Sequence, residues 1–189
     1  MSPLFGITLP FGIPLPFGIT WPSGVRALDP AELAILTPVF GNSLDYGAIR
    51  VGDAVGGAGR PYTLWMPRRG TIIQLGPAAF ATPGADPALL VHEATHSWQS
   101  QHHPVPGAYM VNSLASQAAA AAAGGSAYCY LPGKPFWAYA AEQIAKQVEH
   151  GVPEIVAHVR AVAAGGRDAD NIRSLTVPRW ELPDTPGVA

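Results

Sequence analysis

His92, Glu93 and His96, in the run His92-Glu93-Ala94-Thr95-His96, have the residue types and spacing of a hydrolytic metal centre. On a helix, residues four apart lie one above the other, so both imidazoles can reach a single cation. Glu93 lies about 100° round such a helix from His92, beside the metal rather than on it. There its carboxylate can take a proton from a water that the cation has acidified, the general-base part in metal-assisted hydrolysis. The HExxH pattern carries this meaning only where the chain is helical.

The flanking residues supply that setting. Asp86 suits an N-cap and Pro87 the first helical position, where its missing N–H costs nothing. Leu90, Val91, Ala94 and Trp98 then form an apolar stripe, with His92 and His96 projecting from a neighbouring face. The bland alternative is a helix that carries two histidines and binds nothing.

Catalytic zinc normally takes three protein ligands and keeps one position open. Cys129 is the chain's one cysteine, so no intramolecular disulfide forms and Zn²⁺ must draw on histidine and carboxylate. Two groups compete for the third place. His102 follows His96 by six residues, but Gln99 stands where the extended motif has a glycine, and a continuing helix carries His102 away. Glu142 opens a later helix and can face the motif as in the glutamate-ligated zincins. Its plain alternative is an exposed i, i+4 ion pair with Lys146. Tyr109, Tyr128, Tyr130 and Tyr139 could each donate to the oxyanion of a tetrahedral intermediate, and Tyr130 is the preferred candidate. Gln99 could orient a ligand from behind.

The chain has 189 residues, enough for one domain with a real core. Its net charge is −2 and 13 % of residues are charged, with no basic patch to suggest nucleic acid and no acidic tail. No charged residue precedes Arg26, and the start repeats every six residues as Phe5-Gly-Ile-Thr-Leu-Pro10, Phe11-Gly-Ile-Pro-Leu-Pro16 and Phe17-Gly-Ile-Thr-Trp-Pro22. The prolines exclude a membrane span, and the stretch lacks the basic start and small-residue cleavage site of a secretory signal. The expectation is an extended, apolar tail over 1–24 that docks on its own domain or on a partner. A metal-binding domain is expected over 25–165 and a turn-rich segment over 166–189.

Helices are expected over Asp29 to Phe40, from Pro87 through the motif, over Ser113 to Ala123, Ala138 to His150 and Glu154 to Ala164. Tyr62–Pro67 and Thr71–Leu75 read as a hairpin around Arg68-Arg69-Gly70, residues 52–60 as a glycine-rich loop, and Tyr128-Cys129-Tyr130 as a short strand. Thr71–Leu75 is the strand expected to offer its edge to an extended peptide.

The chain resembles the Vgr-related proteins of proteobacteria and, more distantly, the peptidase-like domain of extracellular contractile injection systems. The matching blocks are Val39-Phe40-Gly41-Asn42-Ser43-Leu44-Asp45-Tyr46, Leu90 to Gln99, Tyr128-Cys129-Tyr130, Gly133-Lys134-Pro135-Phe136 and Tyr139-Ala140-Ala141-Glu142-Gln143. They span roughly residues 28 to 150. Similar proteins have a glutamate-glutamine pair where Glu142-Gln143 stands, which favours Glu142 over His102; Ile144 departs from the Glu-Gln-Gln such proteins tend to read. The resemblance implies an α+β, mainly helical, zincin-like metallopeptidase domain with a small antiparallel sheet. It also implies a link to type VI-like secretion, with the protein in the bacterial cytoplasm or exported by a dedicated system. His92, His96 and Glu142 would hold Zn²⁺, Glu93 would act as base, and a peptide or protein would be the substrate. The rival expectation is a non-catalytic zinc-binding adaptor of the apparatus, docked through its tail.

Overall fold

The computed structural model describes residues 22–180. Residues 1–21 of the repeat tail and 181–189 lie outside the described residues. Strand β1 (Val25–Ala27) leads into α1 (Pro30–Phe40), and the two are joined electrostatically. Asp29 caps α1 by accepting from Ala31 N at 2.9 Å, and Glu32 reaches back to Asp29 N at 2.8 Å. Glu32 is fully buried, which is tolerable because Arg26 meets both its oxygens at 2.7 and 2.8 Å. Leu36 and Phe40 then point into the core.

The sheet contains β1, β2 (Ile49–Gly52), β3 (Tyr62–Met66) and β4 (Gly70–Gln74), in the order β1-β2-β4-β3. The β3–β4 hairpin forms as expected, with Tyr62 opposite Gln74 and Met66 opposite Gly70. Gly70 turns it at φ +79, and an added Cβ would lie 2.0 Å from the Ala48 carbonyl oxygen, so only glycine fits there. The sheet is mixed, not antiparallel: β2 runs parallel to β4, Ile49 opposite Thr71. The sequence reading missed β1 and β2, whose three and four residues are too short for a clear alternating pattern. Because β2 occupies one side of β4, the strand over Thr71–Leu75 is interior and has no free edge. Among the described residues the end strand on that side is β3, and its Thr63 carbonyl is taken by the Tyr109 hydroxyl at 2.9 Å.

Helix α2 (Gly76–Ala81) follows the sheet and precedes α3 (Pro87–Gln101), the central element. Asp86 caps α3 by accepting from Leu89 N at 3.0 Å. Every residue from Leu90 to Ser100 is buried, so α3 is enclosed on all sides and its polar side chains need partners inside the protein. Thr71 and Ser97 bond through their hydroxyls at 2.8 Å, pinning β4 to the helix. Helix α4 (Ala108–Ala123) begins five residues before Ser113; the prolines at 104 and 106 end the preceding turn and do not delay it. Helix α5 (Ala141–Glu149) crosses α3 behind a short 3-10 turn at Phe136–Ala138, packing Ala141, Ile144, Ala145 and Val148 inward. Tyr128-Cys129-Tyr130 bends and is not a strand.

Helices α6 (Pro153–Ala161) and α7 (Ala169–Ser174) complete the body. The described part of the segment from 166 is built into the same core. Asn171 Nδ2 donates to the Gln99 carbonyl at 3.0 Å, Asp168 pairs with His158 at 2.7 Å, and Arg173 lies 3.5 Å over the Trp137 ring. At the other end, Ser23 N and Gly24 N donate to Asp53 at 2.7 and 3.1 Å. No helix among the described residues is long and apolar enough to cross a membrane.

Candidate metal centre

Helices α3 and α5 bring three ligand atoms to one point. His92 Nε2 lies 3.2 Å and His96 Nε2 3.5 Å from the same oxygen, Glu142 Oε2. The ligand atoms of these three residues all fall within 4.8 Å of one another, and all three residues are buried. Two imidazole nitrogens and one carboxylate oxygen are the donor set of a hydrolytic zinc site.

Each ligand is held from behind by its other polar atom. His92 Nδ1 meets Glu149 Oε2 at 3.0 Å, and Glu149 Oε1 is itself held by Lys146 Nζ at 2.8 Å. His96 Nδ1 meets Gln99 Oε1 at 2.8 Å, while Gln99 Nε2 donates to the Ala141 carbonyl at 3.1 Å. Glu142 Oε1 accepts from the Ser113 hydroxyl and from Gln117 Nε2, both on α4. Such partners fix the imidazole tautomers so that both Nε2 atoms face the shared point. The Tyr109 ring stacks on His96 at 5.4 Å and 16°, its hydroxyl anchored on the Thr63 carbonyl at 2.9 Å.

Glu93 stands apart from this set, as its place on the helix requires. The Thr63 hydroxyl lies 2.8 Å from Glu93 Oε2 and 2.9 Å from the Glu93 carbonyl, tying the carboxylate to strand β3. Burial pushes the Glu93 carboxyl above its usual range, and His96 and His92 offset this only partly. Burial likewise opposes charge on Glu142, but His96 and His92 outweigh it and hold that carboxyl well below the usual range. On His92, burial is overcome by Glu142 and Glu149, which lift the imidazole to about 10. His96 is also raised, Glu142 outweighing burial. Carboxylates this buried demand positive charge nearby, which imidazole protons or a cation can supply.

The remaining expected residues lie elsewhere. His102 is the C-cap of α3, fully buried, with Nδ1 2.7 Å from the Gly166 carbonyl and Nε2 2.6 Å from the Ser43 carbonyl. Both nitrogens are spent on backbone, so it offers no ligand atom. The Tyr130 hydroxyl meets His150 Nδ1 at 3.1 Å and its ring packs edge-on against Tyr139, away from the ligands. Besides Tyr109 on His96, the tyrosine beside the ligands is Tyr128, its ring 5.9 Å from His92. A strand would have pointed residues 128 and 130 the same way, but the bend at Tyr128 separates them. Burial lifts the Tyr128 phenol to about 12, with Glu142 adding to the effect. Gln143, the second residue of the glutamate-glutamine pair, is structural: it accepts from Ala140 N at 3.1 Å and donates to the Cys129 carbonyl at 2.8 Å.

Sequence reading missed Glu149, although it follows Glu142 by seven residues, two turns along one helix face. Replacing Glu149 with alanine should lower zinc affinity about 10- to 100-fold without unfolding the protein, because its carboxylate orients His92 and touches no other core group. Zinc titration alongside circular dichroism checks this; unchanged affinity would remove Glu149 from the site.

No protein-family profile and no curated protein matches the chain. Among solved structures, it is similar to the effector domain of Pseudomonas aeruginosa VgrG2b. The identity is 27 %, the match covers 74 % of this chain and 82 % of that one, and the TM-score is 0.51. The chain is thus an α+β protein with the fold of a Vgr effector domain.

Proposed function

We propose that this chain is a zinc-dependent metallopeptidase of the zincin kind, acting as an effector domain linked to a Vgr-type secretion apparatus. The observation that carries the reading is the convergence of His92 Nε2, His96 Nε2 and Glu142 Oε2 beside a carboxylate, Glu93, that is held separately by Thr63. A structural zinc site needs no such base next to its ligands, which is why the catalytic reading is preferred to an adaptor. Zinc at this point would polarise the scissile carbonyl and lower the pKa of water.

The chain's own groups do the rest. Glu93 takes the proton from the attacking water and hands it to the departing amine, a task helped by the burial that raises its carboxyl above the usual range. Tyr128, whose ring lies 5.9 Å from that of His92, is a better candidate than Tyr130 to donate to the developing oxyanion. Strand β3 ends the sheet and holds Glu93 through the Thr63 hydroxyl, which fixes the base beside the ligands. The likeness to an effector domain supports export by a secretion apparatus, and tail 1–24 is the segment proposed to dock on it.

Calorimetric titration of zinc into chelator-treated protein tests this. One ion should bind per chain and release protons, since His92 and His96 are raised and must deprotonate to ligate; affinity should therefore fall as pH falls. Cleavage of a peptide library should disappear with chelation and return with zinc. Tight zinc binding without cleavage of any peptide would favour the adaptor instead.

A further inference from the structure

Each imidazole of the centre can offer a metal only one atom, because its Nδ1 is already taken, on His92 by Glu149 at 3.0 Å and on His96 by Gln99 at 2.8 Å. Glu142 alone among the three has a second atom to give. Whether it gives one oxygen or two decides how much room the metal keeps for water and substrate, and a hydrolytic site needs that room.

The second oxygen is held away from the ligands by α4. Glu142 Oε1 accepts from the Ser113 hydroxyl and from Gln117 Nε2 at 3.1 Å, while Gln117 Nε2 also donates to Ser113 Oγ at 3.0 Å. The amide therefore spends one proton on each neighbour. Ser113 accepts from the amide, which leaves its own single proton for Glu142. The two residues stand four apart on α4, one above the other. A helical serine commonly bonds back to a carbonyl of its own helix, whereas this hydroxyl crosses to α5.

The backbone beside the ligand is set by the same helix. Asn112 Oδ1 accepts from Ala141 N at 3.0 Å, and Asn112 Nδ2 donates to the Leu175 and Val177 carbonyls at 3.2 and 3.1 Å. Helix α4 thus fixes both the start of α5 and the outer oxygen of its first carboxylate. Two oxygens share one carbon, so with Oε1 on α4 only Oε2 faces His92 Nε2 and His96 Nε2.

We propose that Ser113 and Gln117 are positioning residues that limit Glu142 to one-oxygen ligation and so keep a position open on the metal. This rests on the metal-centre reading. Turning Oε1 inward would give up two hydrogen bonds to an ionised, buried carboxylate, which are the strong kind. Without those donors, the metal is the strongest attraction left for the freed oxygen, and the open position closes.

Cobalt(II) in place of zinc reads the difference, because four-coordinate cobalt absorbs visible light several times more strongly than five-coordinate cobalt. The native protein should show the strong bands, and Ser113→Ala combined with Gln117→Met should weaken them. Ser113→Thr, which keeps the hydroxyl, should leave them as they are. Azide needs an open position, so it should bind the native cobalt protein about tenfold more tightly than the double variant. Should circular dichroism show the double variant unfolded, Ser113→Ala and Gln117→Met singly should shift both readouts in the same direction by less. Equal spectra and equal azide affinity in native and folded variant overturn the proposal. Loss of cobalt from a folded variant also overturns it, because the two residues would then only support the ligand. Failure of the native protein to bind cobalt or zinc overturns the metal-centre reading itself.

Discussion

Glu142→Ala is expected to weaken zinc binding by about a hundredfold or more, while the protein stays folded. A structural zinc ion bound by four groups gains about 10–16 kcal/mol, so one ligand is worth roughly 3 kcal/mol, or about a hundredfold. Glu142 Oε2 is the atom that both His92 Nε2 and His96 Nε2 approach, so its loss leaves two imidazoles and no anionic ligand. Ser113 and Gln117 lose an acceptor, but α5 keeps Ala141, Ile144, Ala145 and Val148 in the core. His102→Ala makes the contrast. It should leave zinc affinity almost unchanged and instead lower stability, because the half-buried Gly166 carbonyl and the buried Ser43 carbonyl lose a partner, the latter at about 1–3 kcal/mol. Zinc titration and thermal melts on both variants decide the matter. If His102→Ala lost zinc while Glu142→Ala kept it, the third ligand would be the histidine.

Glu93→Gln should keep its zinc and lose peptide hydrolysis, with kcat down about 10²- to 10⁴-fold. The amide is nearly the size of the carboxylate and its oxygen can still accept from the Thr63 hydroxyl, which stands 2.8 Å from Glu93 Oε2. What the amide cannot do is take a proton from water. The two imidazoles and Glu142 are untouched, so metal content measured by atomic absorption should equal that of the native protein. Loss of zinc would make Glu93 a ligand, and unchanged cleavage would strip it of the base role.

Much of this centre was legible before folding because it is local. The i, i+4 spacing of His92 and His96 and the Asp86-Pro87 start define one helix and the face from which both imidazoles project. Local signals likewise marked α1, with its Asp29-Glu32 box, and the β3–β4 hairpin. Glu142 was preferred because Gln99 continues the helix and carries His102 away, and the resemblance strengthened that preference, yet nothing within fifty residues of His92 says which later helix will cross it. Glu149 was readable as the residue two turns beyond Glu142, yet that spacing means nothing until α5 is known to lie on α3.

By itself, then, the sequence determined the backbone state around the motif and the types of group available for chemistry, because hydrogen-bond period, caps and turn residues act over a few positions. Tertiary structure decided which of those groups meet. It brought Tyr128 rather than Tyr130 beside His92 through a bend, spent His102 on two carbonyls, and placed Thr71–Leu75 between β2 and β3 so that it has no edge to offer. These outcomes depend on contacts between residues far apart in the chain, such as Ile49 with Thr71 or His92 with Glu142, whose pairing no local spacing encodes.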